Sequence, residues 1–420
     1  MISEAQARAT LRAILDSAIE SALPGRGVLA NLPKKPRGRC VVVGAGKASA
    51  AMAAEVHKAW PDVDLSGVVV TRYGHSVSAG RITILEAGHP VPDEASVLAA
   101  ESQLSVVSNL TPDDLVLALV SGGGSATLAM PIEGLSLATK QAITEKLLVT
   151  GASIGEINLV RRHLSKIKGG GLARAAFPAS LHTLVVSDVP GDEVGDVASG
   201  PTVAMSWEPT RVREILDRYS LPIPSAVEQY LERDGFEDSV YPESEHRVVS
   251  SPSMALTEAA TSAQRAGFKP IVLGDCIEGE SSELGVIMAG IVRSVRSMNQ
   301  PAKPPVALIS GGETCVTIRD LRPGRGGRNT EFALSMALAL NGEEDVFAGA
   351  VDTDGIDGTE DAAGALITPS TLLRASERGI DARRYLDRHD SYSFFEAIDD
   401  LIVTGPTLTN VNDVRVVLVY

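Results

Sequence analysis

Glycine-rich turns carrying a few charged residues recur at the ends of apolar runs in this 420-residue chain. Such turns suit phosphate or carboxylate binding. GAGKAS (44–49) follows CVVV: Gly44 and Gly46 let backbone N–H groups approach a phosphate, and Lys47 adds a cation where a helix is expected to start. A cation at that end opposes the helix dipole unless an anion compensates it. The segment is not a Walker A loop, because Lys47 is followed by Ala48, and Ser49 stands where a dinucleotide fingerprint needs its third glycine. A plain tight turn is the alternative. SGGGSA (121–126) closes the run DLVLALV, and Ser121, Gly122, Gly123, Gly124 and Ser125 could form a nest of N–H groups for an oxyanion or phosphate.

SDVPGD (187–192) places Asp188 and Asp192 on one turn. Two carboxylates there could hold Mg²⁺ beside phosphates, one could act as base on a substrate hydroxyl, or both could merely shape an Asx turn and a cap. In RRHLSKIKGGG (161–171) most of the charge reads as a solvated helix face, with Lys168, next to three glycines, the member best able to reach a ligand. SGGET (310–314) contains Glu313. RDLRPGRGGRN (319–329) contains Asn329 and four arginines, 319, 322, 325 and 328. Guanidinium groups bind carboxylate or phosphate through two parallel hydrogen bonds, and Arg325, flanked by glycines, is the candidate for that role. DTDGIDG (352–358) fails the pattern of a calcium-binding EF-hand, yet Asp354 in it is a further candidate for Mg²⁺ or a hydroxyl. GASIG (151–155) matches a nucleophile elbow only in letters. The segment before it has helical period, so Ser153 is expected in a turn between helices.

These turns need strands to present them. Candidate strands include CVVVGAG (40–46), GVVVT (67–71), DLVLALVSGG (114–123), LHTLVVSD (181–188), PVALISGGE (305–313), DVFAGAVDTDG (345–355) and VRVVLVY (414–420), with helical segments such as 47–60, 253–266 and 331–341 between them. Alternation of this kind predicts an α/β protein with mostly parallel sheets, whose ligands sit outside the carboxyl ends of the strands. The length predicts two domains, 1–240 and 241–420, with the boundary near the end of a strand-free, helical and charge-rich stretch (204–245). A net charge of −15 argues against nucleic acid as a partner. No run is long and apolar enough to span a bilayer, and three scattered cysteines fit a reducing, cytoplasmic location.

Taken in order, GAGKASAAMA, RYGH (72–75), GHPVPDEAS (88–96), SGGGSA, SKIKGGGLA, SDVPGDEVGDVASGPT, SGGET, GRGGRNTE, DTDGIDGTEDAAGA (352–365) and TGPTLTNVND (404–413) resemble the class II glycerate 2-kinase family over nearly the whole chain. The resemblance implies a Rossmann-like glycerate-kinase N-terminal domain, a C-terminal MOFRL domain and an active site in the cleft between them. It also implies ATP as donor, Mg²⁺, D-glycerate as acceptor and 2-phosphoglycerate as product. It carries Lys47 and Arg325 over as catalytic or transition-state-stabilising residues. Asp188 joins them as a catalytic candidate. Gly44, Gly46, residues 121–125 and Lys168 are expected at phosphate, and Arg325, Asn329 and Glu313 at substrate. Asp188, Asp192 and Asp354 are expected at metal. A homodimer is left open as an assembly. The family's GEARE-like stretch reads GESSE (279–283) here, and GPTGTN reads GPTLTN with Leu408. The alternative activity is an NAD(P)-dependent hydroxypyruvate reductase.

Overall fold

Valine- and leucine-rich runs become buried strands because branched side chains pack on a pleated surface that helices cover. A computed structural model describes residues 3–233, 235, 240–318 and 323–420. The chain divides into a unit of Pro24–Val249 and a unit of Met1–Leu23 with Ser250–Tyr420. Sequence placed the division at 240/241 and kept the first helix with the N-terminal part.

The unit Pro24–Val249 is built on β1 (Cys40–Ala45), β2 (Leu65–Arg72), β3 (Thr83–Ala87), β4 (Leu115–Ser121), β5 (Ser180–Val186) and β6 (Ser244–Ser250), in spatial order β3-β2-β1-β4-β5-β6. Pairings from β3 to β5 are parallel. Every residue of β1 and β4 is buried, as central strands covered on both faces require. The order is that of a Rossmann-like doubly wound sheet, which winds outward from β1 to β3 and then restarts at β4. A separate helical core forms from Leu135, Ile143, Leu147, Ile157, Val160, Val212 and Leu216, and includes the strand-free stretch. Ser153 caps the helix Ile154–His163 by accepting from the Glu156 N–H, so GASIG is a turn between helices as expected.

The other unit carries β7 (Lys269–Gly274), β8 (Gly279–Glu280), β9 (Val306–Gly312), β10 (Thr314–Cys315), β11 (Val346–Asp352), β12 (Gly364–Ile367), β13 (Leu401–Ile402) and β14 (Asp413–Val419). Its main sheet runs β13-β12-β11-β14-β9-β7, and β8 pairs with β10. Here the expectation of parallel strands meets a mixed sheet: β7 and β9 are parallel, while β14 runs antiparallel to both β9 and β11, and β12 to both β11 and β13. The physical reason is that β12 follows β11 after a turn too short for a helical crossover, and that the C-terminal strand inserts between β9 and β11. The helix Glu4–Ala22 belongs to this unit because its stripe of Ala7, Leu11, Leu15, Ala18 and Ala22 is buried here. Leu15 packs over Gly349 of β11, and the Ala22 carbonyl accepts from Ser250 Oγ and Thr409 Oγ1. No described helix is long and apolar enough to cross a membrane.

Candidate functional site

In a doubly wound sheet the winding reverses at one place, here between β1 and β4, and helices leave the two strands in opposite directions there. A crevice opens at their carboxyl ends, where ligands bind. The turns that leave those ends are GAGK and SGGGS. They are stitched together: the Lys47 N–H donates to the Gly122 carbonyl at 2.9 Å, the Ala48 N–H to Ser121 Oγ at 3.0 Å, and Ser49 Oγ lies 3.2 Å from Ser121 Oγ. Ser121 is fully buried by this work, so it holds the two turns in register and its hydroxyl does not face a ligand.

Gly123 takes a φ of +78°, which a side chain would strain, and a Cβ there would lie 3.0 Å from His89 and 3.3 Å from Lys47. A Cβ on Gly122 would fall 2.0 Å from an Asp188 carboxylate oxygen. The glycines therefore allow Lys47, His89 and Asp188 to converge on one turn. Lys47 is half-buried and stands just ahead of the helix Ser49–Ala59. His89 was missed in sequence; GHPVP carried it without any pattern of spacing. Ser125 Oγ lies 2.8 Å from Ser199 Oγ.

Beside this turn lies a cavity of about 470 Å³, lined by Gly123, Ser125 and His89 on one side and by Lys140, Arg161 and Lys168. The charge run 161–171 is thus not a solvated face. Lys168 is 2% exposed, with its Nζ donating to the carbonyls of Ser125 (2.9 Å) and Leu128 (2.8 Å). His163 is buried and stacks on Trp207 at 4.9 Å, and Arg162 pairs with Asp196. Only Lys166 is exposed among these cations. Lys168 holds the far end of the glycine turn through its carbonyls. Burial, with neighbouring cations, pushes its pKa well below the ordinary lysine value.

Asp192 sits on the same turn as Asp188, and its Oδ1 is buried with no hydrogen-bond partner. Among the described residues no group of three or more His, Cys, Asp or Glu is placed to hold a metal. Mg²⁺ commonly binds through one or two carboxylates and completes its shell with phosphate oxygens and water, so hard carboxylate oxygens at Asp188 and Asp192 fit that ion. Asp354 belongs to the other unit, is 3% exposed, and accepts from the Ile356 N–H at 2.9 Å, which shapes the turn after β11.

In that second unit the antiparallel insertion of β14 sets Asp413 level with Gly312 of β9 and Asp352 of β11. Arg328 donates from Nε to Asp413 (2.9 Å) and from Nη2 to Asp352 (2.8 Å), and also pairs with Glu313. Burial opposes its charge, but these three carboxylates hold its pKa above the ordinary arginine value. Arg415, fully buried, donates to Asp413 Oδ2 at 2.6 Å and to the Gly311 and Gly312 carbonyls. Asp357 caps the helix Arg328–Leu340 by accepting from the Asn329 and Thr330 N–H groups, both at 2.9 Å. Asn329 is fully buried and gives Nδ2 to Asp413, so it is placed within this network and away from solvent. Sequence missed Arg328, Asp413 and Arg415 as a set; the one signal was an arginine inside the apolar run VRVVLVY.

Arg325 stands apart from that network. Its side chain is half-exposed, donates to Glu360 (3.0 Å) and Glu396 (3.5 Å), and lies 4.1 Å over the Tyr392 ring. Arg319 and Arg322 lie outside the described residues.

Comparison with known proteins gives two domain matches: residues 10–232 to a "Domain of unknown function (DUF4147)" and residues 306–413 to the "MOFRL family". The chain is 55% identical to a protein of Agrobacterium vitis that bears the name "Putative hydroxypyruvate reductase", over 99% of this chain and 95% of that one. It is 39% identical to the D-glycerate 2-kinase of Thermotoga maritima, over 97% of each chain. The crystal structure of glycerate kinase from Thermotoga maritima superposes with a TM-score of 0.90 at 37% identity, covering 99% of this chain and all of that one.

Proposed function

We infer that this chain, which belongs to the glycerate kinase family built from the DUF4147 and MOFRL domains, transfers the γ-phosphoryl group of ATP to O2 of D-glycerate. The observation that carries the reading is the convergence of Lys47, His89 and Asp188 on the glycine turn at the β1/β4 switch point. Phosphoryl transfer requires little covalent work from a protein. It requires that donor and acceptor be held in line and that charge on the transferring group be neutralised. Lys47 would place a cation on the phosphoryl oxygens, and the 121–125 turn lets them approach the backbone. Asp188 would accept the proton that leaves the O2 hydroxyl. If Mg²⁺ binds, Asp188 and Asp192 are the residues to hold it, and it would neutralise phosphate charge.

Arg325 suits the substrate carboxylate. Its present partners are Glu360, which is partly buried, and Glu396, which is exposed. Arg325 is itself half-exposed, and ion pairs open to solvent are worth about 0–1 kcal/mol, so an acid substrate can displace them at little cost. Three free cysteines support a reducing, cytoplasmic setting.

The name borne by the Agrobacterium vitis relative favours a second reading, an NAD(P)-dependent reduction of hydroxypyruvate. Two assays on one preparation separate them. The kinase reading expects ADP release that depends on D-glycerate, and no oxidation of NADH or NADPH by hydroxypyruvate. Nicotinamide oxidation without glycerate-dependent ADP release would reverse the assignment.

A further inference from the structure

The cavity beside the glycine turn is unusual in its charge. Lys140 is 7% exposed, with its Nζ on the Leu164 carbonyl at 3.0 Å. Arg161 lines the same space, and among the described residues no hydrogen bond or ion pair holds its guanidinium. Lys168 completes three cations at one wall, and the one carboxylate that lines the cavity, Glu145, is exposed. Taking cations out of water without a counter-charge is costly, and the molecule registers that cost: burial pushes the Lys140 pKa down to about 7 and lowers that of Arg161. An anionic ligand would offset it. The remaining wall, Pro90–Pro92, Ala129 and Leu148, is apolar or aliphatic and partly open to solvent. At about 470 Å³ the space far exceeds a three-carbon acid and falls in the range of about 300–1,000 Å³ that holds larger organic ligands.

We propose that this cavity is the nucleotide pocket of the enzyme. The adenosine body lies against Pro90–Pro92 and Leu148, and the phosphate chain runs past Arg161 and Lys140 to the Gly123 turn, where Lys47 meets the γ-phosphate. The proposal rests on the kinase reading and adds the place of the donor: the unit Pro24–Val249 contributes the whole pocket. A guanidinium with no protein partner is then a phosphate contact in waiting, and the apolar rim supplies a face for the base.

The test measures ADP affinity by isothermal titration with the intact protein and its Arg161→Gln and Thr144→Trp variants, together with steady-state KM for D-glycerate. Thr144 lines the cavity from the helix Leu137–Val149 and is half-buried, so tryptophan there fills the space without entering the sheet core. Arg161→Gln should weaken ADP about tenfold to a hundredfold, the loss expected of a charge-assisted contact, with KM for D-glycerate at saturating ATP unchanged. Thr144→Trp should weaken ADP at least as much, and thermal melting of both variants checks that they fold. If both folded variants bind ADP as the unaltered protein does, the pocket is not the nucleotide site. If the unaltered protein binds no ADP or ATP at all, the kinase reading itself fails, a separate outcome. If the variants lose D-glycerate and keep ADP, the cavity serves the acceptor and the proposal is overturned.

Discussion

The two units present similar edges in sequence, glycine and acid residues at the ends of apolar strands, and opposite edges in structure. In the unit Pro24–Val249 the buried cations outnumber their partners: Lys140 and Lys168 have only carbonyls, and Arg161 has no bonded partner among the described residues. In the other unit each described arginine of the loop is already matched, Arg328 by Asp352, Asp413 and Glu313, and Arg325 by Glu360 and Glu396. The number of cations on a turn therefore says little about anion binding. What matters is whether the fold has supplied the anion itself. The first edge leaves cations without a counter-charge, whereas the second holds Arg328 in a closed network and leaves Arg325, of the described arginines of the loop, half-exposed.

The contrast predicts which substitutions harm the fold and which harm the chemistry. Asp413→Ala should be the most damaging to stability. It strips the carboxylate from the fully buried Arg415 and from Arg328, and breaking a buried ion pair from one side costs about 3–5 kcal/mol. Urea denaturation measures it, and a loss below about 1 kcal/mol would mean that the network is not closed in the way described. Lys47→Ala should leave denaturation unchanged and lower kcat by about a hundredfold, as for other removed electrostatic stabilisers. Near-normal turnover would remove Lys47 from the chemistry. Arg325→Lys keeps the charge and loses the two-pronged geometry, so kcat/KM for D-glycerate should fall about tenfold or more; full activity would show that a point charge suffices. Glu360→Ala should be smallest, within about 1 kcal/mol of stability, because its partner is exposed. A large loss there would make Arg325 part of the structural network after all.

Much of the fold was legible. β1, β4, β9 and β14 fall within one or two residues of the apolar runs that predicted them, since fully buried strands leave an unbroken hydrophobic signature. β12 was missed because Gly364–Ile367 is a short run at the tail of an acidic, turn-rich segment. Strand direction in the second sheet was hidden because apolar pattern reports burial and carries no sign of orientation. For the same reason the Arg328–Asp413–Arg415 network could not be read. Its members are brought level by register between strands far apart in sequence. The glycine turns were readable because Gly123 needs a backbone few residues adopt, and because Gly122 must admit Asp188. The charge run 161–171 was misread because local pattern cannot tell a helix face turned to solvent from one turned to a cavity.

The central claim, phosphoryl transfer from ATP to the secondary hydroxyl of D-glycerate, is tested most directly by the identity of the product. The purified protein is supplied with ATP, Mg²⁺ and D-glycerate, and the reaction is coupled to enolase with phosphoglycerate mutase left out. The account predicts prompt formation of phosphoenolpyruvate, because enolase accepts 2-phosphoglycerate directly. A product that enolase ignores until mutase is added would place the phosphoryl group on O3 and contradict it.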